Sequence, residues 1–276
     1  MRMPAEWEPH ESTWLSWPVN RTTWPGKLLG EVEGVFIEMM RGLLPGEKVN
    51  LLVPDGPTAR KVKRKLEARK TDTKNLIFHR VKTQDAWIRD YGPIFVKRVI
   101  AGREAKDRSC EENEARRSNL GLTKIATPVV RRARDDNARI IASERNDNVA
   151  FTKWNFNAWG GKYASTVRDN QVVNRLEALK KFRRFDTGIV LEGGSIDVNG
   201  CGVLLTSEQC LLNRNRNPRL SRREIENAPG DLMNFEVRFF TAEGESQMLD
   251  HFFSFARYNF KRQSSYRLSD GGRALV

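Results

Sequence analysis

Two short segments hold acidic side chains in settings where they could do chemistry. The first is WIRDYGP at 87 to 93, in which Asp90 stands beside Arg89, three positions after Trp87 and two before a glycine-proline stop. Such a pattern fixes one carboxylate at the end of a strand, facing a pocket. The second is LEGGSIDVNG at 191 to 200, where Glu192 precedes two glycines that let the backbone turn tightly and approach a ligand closely. Two carboxylates offered by separate loops suit a flat cation. A plainer reading stands beside this one, with Asp90 as a turn aspartate paired to Arg89 or to backbone amides and Trp87 as a core residue.

The elements that must carry these segments follow from periodicity. GKLLGEVEGVFIEMMRGLL (26 to 44) repeats its apolar residues at helical spacing and ends at Pro45-Gly46, so it predicts a helix with one buried stripe. VNLLVP (49 to 54) predicts a buried strand, Thr58 to Arg69 a largely basic helix, NLIFHRV (75 to 81) a strand, and IFV (94 to 96) another after the first acidic segment. Strand, helix and strand in alternation with short connections indicate a mixed α/β fold. Residues 99 to 148 break the pattern: they hold 11 Lys and Arg and 9 Asp and Glu with no aromatic residue, which predicts an insertion looped out from the fold. Core resumes with VAFTKWNFNAWGGKY (149 to 163). A helix over 169 to 181 follows, then strands in GIVLEGG and GVLLTSEQCLL, and a helix from SRREIEN (221 to 227) capped by Ser221 with Glu224 three residues on. The polar, basic residues 262 to 276 predict a frayed tail, and the whole reads as one domain over 1 to 276.

Composition excludes several classes. With 276 residues, 39% hydrophobic, the chain can bury a substantial core, so disorder throughout is not expected. The excess of 48 basic over 35 acidic residues gives +13, a non-specific attraction for polyanions. The runs KVKRKLEARK and RRARDD are most simply solvated faces, and nucleic acid is not the expected partner. Cys110, Cys201 and Cys210 show neither a metal spacing nor an even count, which points to reduced thiols and a cytoplasmic setting. No segment predicts a signal peptide or a membrane span.

MPAEWEPHESTWLSWP, WIRDYGPIFV, FNAWGGKY, LEGGSIDVNG and LLTSEQCLLNRNRNP occur in one order, and together they resemble the agmatine deiminase and bacterial peptidylarginine deiminase family of guanidine-modifying hydrolases. The resemblance runs from residue 3 to about 226 apart from the insertion. It implies a pentein-like α/β-propeller of five ββαβ blades, here incomplete with the last blade missing. It implies a small guanidine such as agmatine, or a peptidyl arginine, as substrate, putrescine formation as the setting, and no cofactor or metal. In that chemistry a cysteine thiolate attacks the guanidinium carbon, ammonia leaves with a histidine's help, and water releases the ureido product. The matching motifs assign Asp90 to clamp the guanidinium, Trp87 to pack on the ligand's apolar stem, and Glu192 to stand near it.

Departures from the family pattern change what is expected. In QMLDHFFSFARY (247 to 258), His251 aligns with the family's general acid/base, but Phe253 holds the place of a second clamping aspartate. The glycine-rich segment that carries the nucleophile in relatives has no match, and Cys210 aligns with a non-catalytic cysteine. His10 and His79 read as scaffold residues, and the phenylalanines of 235 to 260 as surface that a last blade would cover. The expectation is therefore a truncated, inactive copy of an amidine hydrolase. The alternative is a non-enzymatic remnant that binds a guanidine or polyanion, or assembles with an intact homologue; a homo-oligomer stays open.

Overall fold

The computed structural model describes residues 1–98, 148–200, 202–233 and 236–240, the side chains of 229–240 excepted. The insertion, the tail, His251, Cys110 and Cys201 lie outside the described residues. The first half forms the helices and strands expected after residue 26, preceded by a strand that was not: β1 (Ser12–Ser16), α1 (Leu28–Leu43), β2 (Lys48–Val53), α2 (Gly56–Glu67) and β3 (Leu76–Arg80). The three strands are parallel throughout, in the order β1-β2-β3. Parallel neighbours need a crossover, and α1 and α2 supply the two. Ile37 and Met40 of α1 and Val62 and Leu66 of α2 are buried against Leu15, Val49 and Leu51. The remaining α2 surface is basic and solvated, as its charge run predicts. Asp55 accepts the Thr58 amide at 2.8 Å and Pro57 stands in the first turn, so the start of α2 is set by its own residues.

WIRDYGP contains a single helical turn, α3 (Ile88–Tyr91), where an open loop was expected. Gly92 ends it against the Ile88 carbonyl, in space that a Cβ would occupy. A second sheet then pairs β4 (Ile94–Lys97) antiparallel with β5 (Val149–Asn155), and β5 parallel with β6 (Arg183–Val190). A third repeats that plan, with β7 (Ile196–Val198) antiparallel to β8 (Val203–Ser207) and β8 parallel to β9 (Glu236–Phe240). Two ββαβ units are thus visible among the described residues, while the first sheet has no antiparallel hairpin. Val96, Trp154, Leu191, Val198 and Leu204 form a core that spans the second and third sheets. Leu52, Tyr91, Phe151, Phe156 and Val172 join the first to the second.

Two expected elements come out differently. The helix over 169–181 is replaced by a 3-10 stretch at Ala164–Gln171, a turn α5 (Val172–Arg175) and a second 3-10 turn at Glu177–Leu179. Here Asp169 accepts the Gln84 and Asp85 amides at 2.6 and 3.0 Å, and Asn170 accepts the Phe156 amide at 2.9 Å. Those side chains hold distant backbone, and a regular helix would turn them away. The strand expected through SEQCLL stops at Ser207, whose hydroxyl caps a short helix α6 (Glu208–Leu211). The capped helix from Ser221 is observed as α7 (Arg222–Met233): Glu224 takes the Ser221 amide at 2.8 Å and Ser221 takes the Glu224 amide at 3.3 Å.

Candidate functional site

Three tight turns converge on Asp90. Its Oδ1 accepts the Gly194 amide at 2.9 Å and its Oδ2 accepts the Trp159 indole N–H at 3.1 Å. Beside it, Arg89 Nε donates to the Gly193 carbonyl at 3.0 Å and the Arg89 guanidinium also pairs with Glu6. The two motifs read from the sequence therefore touch, side chains of the first bonding the backbone of the second. That approach requires Gly193 and Gly194, since a Cβ on the first would strike the Arg89 carbonyl and on the second the Asp90 carboxylate. Asp90 is half-buried, and burial raises its pKa against the lowering effect of the Gly194 and Trp159 hydrogen bonds and of Arg89.

Trp159 reaches Asp90 by an unusual backbone. The turn α4 (Ala158–Gly161) has positive φ at every residue, at 59°, 55°, 74° and 81°, so it winds left-handed. Glycine accepts this readily, but Ala158 and Trp159 do not, and each carries a cost of about 1–2 kcal/mol. Asn157 secures the turn by accepting the Gly160 amide at 2.9 Å, and Trp159 packs edge-on to Phe156 with ring centroids 4.9 Å apart. Stored strain of this kind belongs where geometry is functionally constrained.

Glu192 is buried, with its side chain 3% exposed. Its Oε1 accepts Arg216 Nε at 3.0 Å, while Oε2 has no hydrogen-bond partner. Burial raises its pKa; Arg216 opposes the rise and the charge of Asp90 adds to it, so the two acids sense one another. Trp87 is 45% exposed and lies 6.1 Å from the Trp24 ring, so it is not a core residue. The other candidates lie elsewhere. His10 pairs with Glu47 at 2.7 Å, His79 bonds Asn50 at 2.9 Å and stacks on Trp14, and Cys210 is half-buried in α6. Among the described residues no group of three or more His, Cys, Asp or Glu could hold a metal ion.

Sequence reasoning missed Trp159 and Arg216 as parts of this cluster. Both stand in motifs that were read, FNAWGGKY and LLNRNRNP, but neither position is distinguished by periodicity. The glycine pair after Trp159 was the available signal.

Three-stranded sheets, one parallel and two mixed, that bring two acidic turns together define the class first, an α/β scaffold with a carboxylate at each of two touching turns. The chain belongs to the Porphyromonas-type peptidyl-arginine deiminase family, whose model matches residues 2–249. It is 34% identical over 231 residues to the agmatine deiminase of Ectopseudomonas mendocina (strain ymp), covering 81% of this chain and 48% of that protein. With the agmatine deiminase of Pseudomonas aeruginosa (strain LESB58) it shares 32% identity over 242 residues, covering 85% and 51%. The solved agmatine deiminase of Enterococcus faecalis matches at 26% identity and a TM-score of 0.61, over 87% of this chain and 53% of that one. The chain spans about half the length of these relatives.

Proposed function

We propose that this chain carries the guanidinium-binding half of an agmatine deiminase-type site, with Asp90 and Glu192 as the acceptors and Trp87 as the apolar wall. The observation that carries the reading is the free Oε2 of Glu192. A buried carboxylate oxygen without a donor is costly, and one beside a second acid is more so. A guanidinium answers both needs, because it brings positive charge and several N–H groups in one plane. Asp90 still has acceptor capacity after its two observed bonds. The relatives' names supply agmatine as the small guanidine, with peptidyl arginine as the other family substrate.

The reading extends to the reaction and the setting. The reaction would be guanidine plus water to ureido product plus ammonia, on the putrescine-forming route, in the cytoplasm. The fold would be part of a five-bladed propeller, supported by the two repeated ββαβ units. His251 would be the general acid/base of the matching motif. Turnover by these 276 residues alone is not expected: Cys210 aligns with a non-catalytic family cysteine, and the glycine-rich motif that carries the family's nucleophile has no match among them. A thermal shift with agmatine tests the reading, since stabilisation that disappears in Asp90→Asn supports it. Stabilisation by heparin alone would favour polyanion binding, for which the +13 charge is the motivating observation.

A further inference from the structure

Arg216 pairs directly with Glu192, one of the two proposed acceptors, and is itself held on several sides. Its side chain is 11% exposed, its Nη1 donates to Asn215 Oδ1 at 2.9 Å, and its amide donates to the Asn213 carbonyl at 2.9 Å. Asn157 Nδ2 reaches across to the Asn215 carbonyl at 2.8 Å, tying this turn to the left-handed one that presents Trp159. Gly160 leaves the room: a Cβ there would collide with Asn215 and with Arg216 Nη1. The same small turn therefore sets the donor to Asp90 and the seat of Arg216.

We infer that Arg216 is a positioning residue for the cation site, one that occupies a single oxygen of Glu192 and so commits the other to a ligand N–H. This rests on the cation-site reading above and goes beyond it, because it makes an internal guanidinium a condition for binding an external one. Two guanidinium groups on one carboxylate would ordinarily compete. Here they do not, because Arg216 approaches Oε1 through Nε, and its Nη1 is turned to Asn215. Glu192 needs that partner to keep its negative charge in so dry a place. Without Arg216 the main influence opposing the rise of its pKa is gone, so it holds its charge, and a cation, less well at neutral pH.

The test is calorimetric titration of agmatine into wild type, Arg216→Gln and Arg216→Lys from about pH 6 to about pH 9.5. Arg216→Gln should bind at least about tenfold more weakly at neutral pH and recover as pH rises, since Glu192 then ionises while the guanidinium stays charged. Arg216→Lys keeps the charge, so it should lose only a few-fold and keep a profile close to wild type; should the glutamine variant fail to fold, loss of agmatine binding by Arg216→Lys overturns the inference. In Arg216→Gln a purely structural role would lower affinity equally at every pH, and that result overturns the inference. So does wild-type affinity in both variants, or tighter binding in Arg216→Gln, which would make Arg216 a competitor. Absence of agmatine binding in wild type would overturn the cation-site reading itself, whereas loss in Asp90→Asn with wild-type behaviour at Arg216 would overturn only the role of Arg216.

Discussion

Single atoms decide how the site works. Asp90 fills the structural role of a turn aspartate, since it anchors Gly194, yet one of its two donors is an indole from a different sheet unit. Trp159→Phe keeps the ring and removes that donor. It should cost about 0.5–1.5 kcal/mol in urea unfolding. Because the indole bond lowers the pKa of Asp90, its loss should raise that pKa further, and the pH at which guanidine affinity fails on acidification should move upward. An unchanged pH profile would show that the indole does not govern the carboxylate. Gly193→Ala is the sharper packing test. Its Cβ meets backbone, the Arg89 carbonyl, which cannot swing aside as a side chain would. We expect a loss of about 1–3 kcal/mol in the same measurement, together with weakened agmatine binding.

At the scale of elements, the loop that leads into α3 hangs on Asp169. Burial pushes its pKa up to about 6, with the nearby Asp85 adding to the rise and the two backbone amides and Arg175 opposing it. A folded pKa raised above the ordinary 3.8 gives a contribution fully present below that value and lost as pH rises through about 6. The difference amounts to about 2–3 kcal/mol. Asp169→Asn does not titrate, so the melting temperature of wild type relative to this variant should climb as pH falls from about 8 to about 5. Half-buried His79, whose pKa is lowered, acts in the opposite direction in both proteins and cancels in the comparison. Parallel melting profiles would contradict the assignment. This anchor also shows where sequence reading stopped. The helical repeat over 26 to 44 announces α1, although Leu28, Val35 and Met39 of that repeat are exposed and Ile37, outside it, is buried. Asp169, Asn170, Trp159 and Arg216 serve partners from 14 to 85 residues away, and such pairings leave no period to read. Asp90 and Glu192 stood out because tight glycine turns mark them; the ion pair between Glu192 and Arg216 did not.

For the whole molecule, the family and the mixed α/β scaffold are in place, and the chain spans about half of the relatives it matches. A binding site shared between two turns can persist on such a scaffold when the turns are bonded to each other, as Arg89 and Gly193 are. Catalysis asks for more, a thiolate and a proton shuttle held beside the guanidinium. We therefore predict that the purified chain forms no ureido product from agmatine above a buffer blank in a colorimetric assay; product that disappears in Asp90→Ala would contradict this. Binding is the central claim, and calorimetric titration of agmatine into wild type and Asp90→Asn tests it most directly. We predict saturable binding to wild type that weakens by about 2–5 kcal/mol in the variant, with its fold intact. Equal affinity in the two proteins, or no binding to either, would contradict the account.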